Sequence, residues 1–255
     1  MKISKITSLV FVLMFAVLSC RDESKNPTLD PEYGAYAKGQ FLDPSNNEIP
    51  TIFGAYSQSA VNAVVFWDKA NTNETTATTS VKGQVTWNAG KESVKISNIE
   101  LYVQFIESYA DKNNNVVTRS HGPGATPTVP EGKLWKTIPA AARLSPAAFT
   151  ITPADVYNLY KGTKFDYKGT GTSVDIFEAN PCTIRTLDAV NNPIANRFFP
   201  SGRTDKSGSG KALSADQISI KWRLIADDGR AFGSFHNNVC TQLTDANCNI
   251  LFIVK

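Results

Sequence analysis

Apolar and polar residues alternate over 218–224, and Trp222 lies on the apolar side of this pattern. A period of two is typical of a strand with one buried and one solvated face. The segment 227–230 follows at once and contains Asp-Gly, which supplies the positive backbone angle of a tight hairpin turn. The pattern therefore predicts a hairpin with its return strand over 231–235, and it places Trp222 in the core.

The same alternation recurs elsewhere in the chain. It extends over 94–105, where the phase slips near Asn98 and indicates a bulge. The run 250–254 is β-branched and aromatic, so we predict a terminal strand that pairs inside a sheet. Further strands are predicted at 61–67, 81–87, 148–151, 164–167 and 174–177.

One short helix is predicted after Thr152. The Thr152 hydroxyl stands at the cap, Pro153 at the first helical position, and Asp155 near the positive end of the peptide dipoles. Gly162 ends the helix. The segments 110–133 and 196–211 are rich in turn residues and are predicted to be long loops.

No internal repeat or linker divides the chain after residue 34. Strands with regular turn signals and a single helix favour one all-β domain over 34–255. We predict an immunoglobulin- or fibronectin III-like β-sandwich with long loop insertions.

The N-terminal segment 1–19 is typical of a lipoprotein signal peptide. Lys2 and Lys5 precede the apolar run 9–17, which is shorter than the roughly 20 residues that cross a bilayer. Small and aliphatic residues then lead to Cys20, so we predict cleavage before Cys20 and acylation of its sulfur. The polar segment 20–33 is predicted to be a flexible tether.

Charge and residue spacing exclude several functions. The signal holds two of the 26 basic residues and none of the 23 acidic ones, which leaves a net charge of +1 and argues against a nucleic-acid partner. Neither histidine has a ligand spacing to a cysteine pair, so no metal is expected. Asp175 and Glu178 face opposite sides of a strand and cannot form a catalytic pair. We expect a non-enzymatic protein without catalytic residues or a cofactor.

Three cysteines follow Cys20, and outside the inner membrane a disulfide is expected. Seven residues separate Cys240 from Cys248, a spacing that suits a bridge across a hairpin, and Cys182 is the competing partner. The polar run 111–115 begins as calcium loops do but lacks their later glycine and acid, and a hydrophilic turn is the alternative.

Exposed aromatic rings can stack on sugars, and Trp135 and Tyr109 flank the long segment 110–133. They are therefore the predicted ligand-binding surface. A buried plug is the alternative for Trp135.

Several motifs of the chain resemble a recurrent group of Bacteroidetes surface lipoproteins. They are the acidic residues of 21–23 and the segments 34–37, 99–103, 151–156 and 222–232. Members of this group are commonly found beside starch-utilisation-type outer-membrane transporters. The resemblance implies an immunoglobulin-like sandwich, display on the outer membrane, and an accessory role in glycan capture or docking on a TonB-dependent transporter complex. It brings no defined binding positions. The alternative is a cell-surface adhesin or structural subunit, whose sign would be an exposed strand such as 250–254.

Overall fold

The structure is a computed structural model that describes residues 34–43, 45–49, 51–52, 55–56, 80–90, 92–126, 129–177, 198, 211–233 and 246–253. Strands dominate this part of the chain. In order, its elements are β1 (Ala35–Leu42), β2 (Thr51–Ile52), β3 (Ala55–Tyr56), β4 (Val81–Ala89), β5 (Ile96–Ala110), β6 (Val116–His121), β7 (Lys133–Pro139), β8 (Pro146–Ile151), α1 (Pro153–Tyr160), β9 (Lys164–Phe165), β10 (Val174–Asp175), β11 (Gln217–Ala226), β12 (Ala231–Gly233) and β13 (Ile250–Ile253).

Two antiparallel sheets form the sandwich. The first sheet has the order β1-β4-β8, and the second is built on the central pair β5 and β11. On its other edge, β5 pairs first with β7 and then with β6. In the same way, the other edge of β11 pairs first with β13 and then with β12. In immunoglobulin terms β1, β4 and β8 take the A, B and E positions, while β5 and β11 take C and F. The predicted all-β sandwich is confirmed.

The core lies between the inner faces of the two sheets. Trp222 of β11 is fully buried, as predicted, and its ring lies directly over Gly39 of β1. A methyl group at Gly39 would overlap this ring, and one at Gly83 of β4 would overlap Phe149 of β8. Glycine in two strands of the first sheet therefore makes room for large rings from neighbouring elements.

The local turn and cap predictions are confirmed. Gly229 has a φ of 84° in the β11–β12 hairpin. Ser97 is the extra residue of a bulge, next to the predicted position, because Ile225 pairs with Asn98 and Ala226 with Ile96. The α1 helix begins with a capping box in which the Thr152 hydroxyl and the Asp155 carboxylate each accept from the other's backbone N–H.

The prediction that 110–133 is a loop throughout is wrong. Asp111 Oδ1 accepts hydrogen bonds of 2.8 Å from the backbone N–H groups of Asn113 and Asn115, and Asn114 adopts a left-handed φ of 60°. These residues form a compact hydrophilic turn, which is the alternative given for the calcium-like run. Val116–His121 can therefore return as β6 and pair with the second half of β5.

The other strand predictions differ mainly in length. β4 and β8 contain the predicted 81–87 and 148–151, and β9 and β10 are shorter than predicted. The terminal strand pairs along β11, and among the described residues this is its one strand partner. Asn247 just before it bonds both the N–H and the C=O of Gly39, at 2.7 and 2.8 Å, and so occupies the edge of β1.

A third layer covers the second half of β5 and β6. It consists of α1, the β9–β10 hairpin and the aromatic rings that these elements carry. The hydroxyl of Tyr160 donates to the Val103 carbonyl at 2.6 Å, and burial raises its pKa. Lys133 Nζ donates to the Leu159 carbonyl at 3.0 Å and so provides a hydrogen-bond donor to the last turn of α1. Burial lowers the pKa of Lys133.

Several predictions concern residues outside the described part of the chain. They are the signal peptide 1–19, the tether 20–33 with Cys20, the strand 61–67, and the cysteines Cys182 and Cys240. Cys248 is described and is disulfide-bonded. No helix within the described residues is long and apolar enough to span a bilayer.

Candidate functional site

A groove of about 300 Å³ lies on the outer face of the first sheet. Its floor consists of side chains that point away from the core at every second position of β1 and β4. The strand register sets them in three cross-strand rows, namely Tyr36 with Asn88, Lys38 with Thr86, and Gln40 with Gln84.

The walls of the groove come from two connections. Glu48 is brought to one side because it bridges to Leu42 at the end of β1. Leu144 and Pro146 form the other side at the start of β8. Leu144 is 64% exposed and has a left-handed φ of 62°, and its N–H donates to the Trp87 carbonyl at 3.0 Å. An apolar side chain is thereby held at the rim of a polar surface.

The Glu48 end of the groove is a network of amides around one carboxylate. Gln40 Nε2 donates to Glu48 Oε2 at 2.6 Å, and Gln84 Nε2 donates to Glu48 Oε1 at 2.8 Å. The two glutamines are only 7% and 9% exposed. The carboxylate thus fixes both amides, and their remaining donors and acceptors have defined positions.

The opposite end holds Tyr36, the more exposed of the two aromatic side chains in the lining, since Trp87 is buried. Asn88 Nδ2 donates to the Tyr36 hydroxyl at 2.7 Å, and Arg143 Nε donates to Asn88 Oδ1 at the same distance. This chain of contacts fixes the position of Tyr36, which is half-buried. The Tyr36 hydroxyl, as the acceptor of that bond, keeps its own proton for another partner.

The chemistry of the groove suits a ligand with many hydroxyl groups. Amides and hydroxyls both donate and accept hydrogen bonds, as sugar hydroxyls do, and a tyrosine ring offers an apolar face beside a polar tip. Among the described lining residues Glu48 is the single carboxylate, whereas hydrolysis of a glycosidic bond uses a pair. The arrangement can bind and orient such a ligand.

The structure does not join the two residues that the sequence predicted as a ligand surface. Tyr109 is 8% exposed, and its ring packs edge-on against Phe165 and Tyr167, with centroid separations of 5.8 and 5.0 Å. Its ring is therefore part of the core, because β6 and the third layer cover the second half of β5. Tyr109 is not the exposed platform that the sequence predicted.

Trp135 lies elsewhere on the second sheet. It is the extra residue of a bulge in β7, since Leu134 pairs with Tyr102 and Lys136 with Leu101. Tyr102, the β5 partner of Leu134, lies seven positions before Tyr109 on the same strand, which is roughly 24 Å. The Trp135 ring is half-buried against the core and meets Phe149 edge-on at 6.1 Å, as the alternative of a buried plug implies.

A second cavity, of about 470 Å³, opens at the end of the sandwich. Its lining combines apolar residues, namely Val94, Ile96 and the alanines of 140–142, with the charged residues Glu92, Lys95 and Arg143. The Trp87 indole N–H donates to the Ala141 carbonyl at 2.8 Å and is therefore not available to a ligand. The charged side chains of this cavity are exposed, whereas the amides of the groove are held in place by hydrogen bonds to Glu48.

A buried acid cluster joins the third layer to the second sheet. Its members are Glu107 of β5, His121 of β6 and Tyr167. His121 Nε2 lies 2.7 Å from Glu107 Oε1, and the Tyr167 hydroxyl donates to the same oxygen. The side chains of His121 and Glu107 are only 3% and 0% exposed, so these contacts connect elements and do not face solvent.

The outer face of the second sheet carries ion pairs. Glu100 Oε2 accepts from the Tyr102 hydroxyl at 2.9 Å and from Arg223 Nε at 2.7 Å. Burial, followed by the bond to Glu100, raises the pKa of Tyr102 to about 12, and the same carboxylate raises the pKa of Arg223. Lys221, 2.5 Å from Glu131, lowers the pKa of that acid. Within the described residues, no group of three or more His, Cys, Asp or Glu side chains is placed to hold a metal ion.

No protein-family model, curated protein or solved structure matches this chain. No prediction of the groove came from the sequence, because β1 carries only two clearly polar side chains, Lys38 and Gln40, and was not predicted as a strand. The available signal was the polar series at 82, 84, 86 and 88, which marks the solvated face of β4.

Proposed function

We propose that this protein is a non-enzymatic surface lipoprotein that binds a saccharide in the groove on the first sheet. Acyl chains on Cys20 hold it at the outer membrane, and the protein serves there as an accessory of nutrient capture beside a TonB-dependent transporter. The single observation that carries the binding function is the groove itself, in which Tyr36 and the fixed amides of Gln40 and Gln84 lie on one solvated face.

The attachment of the domain supports this role. The chain enters β1 at Ala35, so the tether over 20–33 joins the domain at the Tyr36 end of the groove. A flexible tether of this length has an end-to-end distance of about 20 Å. The groove would then stay close to the membrane surface, where anchoring raises its effective concentration at a transporter mouth without a tight site.

Replacing Tyr36 by alanine is expected to weaken saccharide binding by about tenfold, because the groove loses its half-buried tyrosine ring. Trp135→Ala is the matched comparison, since the sequence alone pointed to Trp135 instead. The measurement is retention of the full chain on a panel of insoluble polysaccharides, followed by titration with those that bind. Thermal unfolding of each variant confirms that it is folded.

The comparison separates the two surfaces. Loss of binding in Tyr36→Ala with binding retained in Trp135→Ala supports the groove. Loss in a folded Trp135→Ala with binding retained in Tyr36→Ala would move the site to the second sheet. A wild-type chain that binds no polysaccharide of the panel would contradict the binding function.

A further inference from the structure

We propose that the groove takes an anionic saccharide and that the Lys38 ammonium group pairs with the ligand's acid group. This inference rests on the proposed function, since it specifies the ligand of the same groove. Lys38 occupies the middle cross-strand row, opposite Thr86 and between Tyr36 and Gln40 on β1. Its side chain is half-buried in the groove.

The ammonium group of Lys38 is unpaired within the part of the chain that the structure describes. No hydrogen bond or ion pair joins its Nζ to another residue in the described ranges. Lys82, on the same face of the same sheet, instead donates to Asn46 Oδ1 at 2.9 Å. Lys221 on the other sheet pairs with Glu131. A half-buried ammonium group without a counter-charge has lost part of its hydration and gains from an anionic ligand.

Glu48, the carboxylate of the described lining, forms no ion pair with Lys38. Both oxygens of Glu48 accept amide hydrogens from Gln40 and Gln84, so this carboxylate is committed to holding the amides. Arg143 bonds Asn88 from outside the groove and lines the second cavity. The described lining of the groove thus holds one cation and one carboxylate. Of these two charged groups, only the Lys38 ammonium group has no partner among the described residues, and it lies in a concave surface where water screens charges less than in bulk solvent.

The spacing of the groups favours an oligosaccharide over a small free anion. Side chains two residues apart on a strand are separated by about 7 Å, so Tyr36, Lys38 and Gln40 present a ring, a cation and an amide in line. A chain of sugar rings can meet all three, while an isolated anion meets only the cation. A uronate carboxylate and a sulfate ester share the required chemistry, which is an anionic oxygen that accepts from an ammonium group.

Isothermal titration of the full chain, purified in detergent, tests this inference with two matched pairs of probes. One pair is oligogalacturonate and its methyl ester, and the other is dextran sulfate and dextran. We expect at least one charged member to bind about tenfold more tightly than its neutral partner. Lys38→Met removes this preference, Lys38→Arg retains it, and Lys82→Met serves as the control on the same sheet face.

The outcomes distinguish the ligand class from the function. A charge preference that disappears only in Lys38→Met supports the inference, and the pair that shows it tells carboxylate from sulfate. Equal binding of charged and neutral members overturns the inference and leaves the proposed function standing. A charge preference that survives in folded Lys38→Met also overturns it. If none of the four probes binds and the polysaccharide panel is negative as well, the inference and the proposed function both fall.

Discussion

Glu107→Ala is expected to lower the free energy of unfolding by about 3–5 kcal/mol, the cost of removing one member of a buried hydrogen-bonded cluster together with its volume. The Glu107 side chain is fully buried, and its Oε1 meets both His121 and the Tyr167 hydroxyl. Alanine would leave two buried polar groups without this acceptor and would create a cavity beneath the third layer. Denaturant unfolding of the full chain at neutral pH measures the loss.

A second carboxylate of the same sheet provides the control for this prediction. Glu131 pairs with Lys221 but its side chain is 39% exposed, so Glu131→Ala is expected to cost less than about 1 kcal/mol. Glu107→Gln keeps the shape and one acceptor and should fall between the two. Similar losses for Glu107→Ala and Glu131→Ala would show that the buried acid cluster does not hold the third layer in place.

Cys20→Ser is expected to abolish fatty-acid labelling of the protein and its presence at the outer membrane. Each methylene group of a buried acyl chain contributes about 0.8 kcal/mol to membrane affinity, so two or more chains hold a protein firmly. Serine lacks the sulfur that the predicted processing acylates. Metabolic labelling with a tagged fatty acid, combined with separation of the two membranes, measures both effects.

Cys182→Ser is the matched cysteine variant, and it should keep the label. Protease treatment of whole cells then reports whether the labelled protein faces outward. If Cys20→Ser were still found at the outer membrane in wild-type amounts, the lipid anchor and the location that follows from it would both be wrong.

Local sequence signals predicted the local structure well. The alternation at 218–224, the Asp-Gly turn and the Thr152 cap each act within a few residues, where backbone geometry and hydrogen bonding are decided. The observed hairpin, the bulge at Ser97 and α1 follow them closely. The sandwich itself was predictable because these strands repeat at regular intervals.

The functional surface was not predictable in the same way, since it depends on pairing between distant segments. Gln40 and Gln84 are 44 residues apart, and only the β1–β4 register places them side by side. Glu48 joins them from a connection whose path follows no periodic pattern. Tyr109 illustrates the same point in reverse, because the layer that buries it comes from residues more than 50 positions later in the chain.

Hydrogen-exchange mass spectrometry of the full chain, with and without a bound oligosaccharide from the titrations, tests the central claim most directly. We expect the ligand to slow exchange within 36–40, around Glu48, and within 84–88 and 144–146, the parts of the chain that line the groove. Protection centred on 133–137, or at the end of the sandwich around 92–96, would contradict a saccharide site on the outer face of the first sheet.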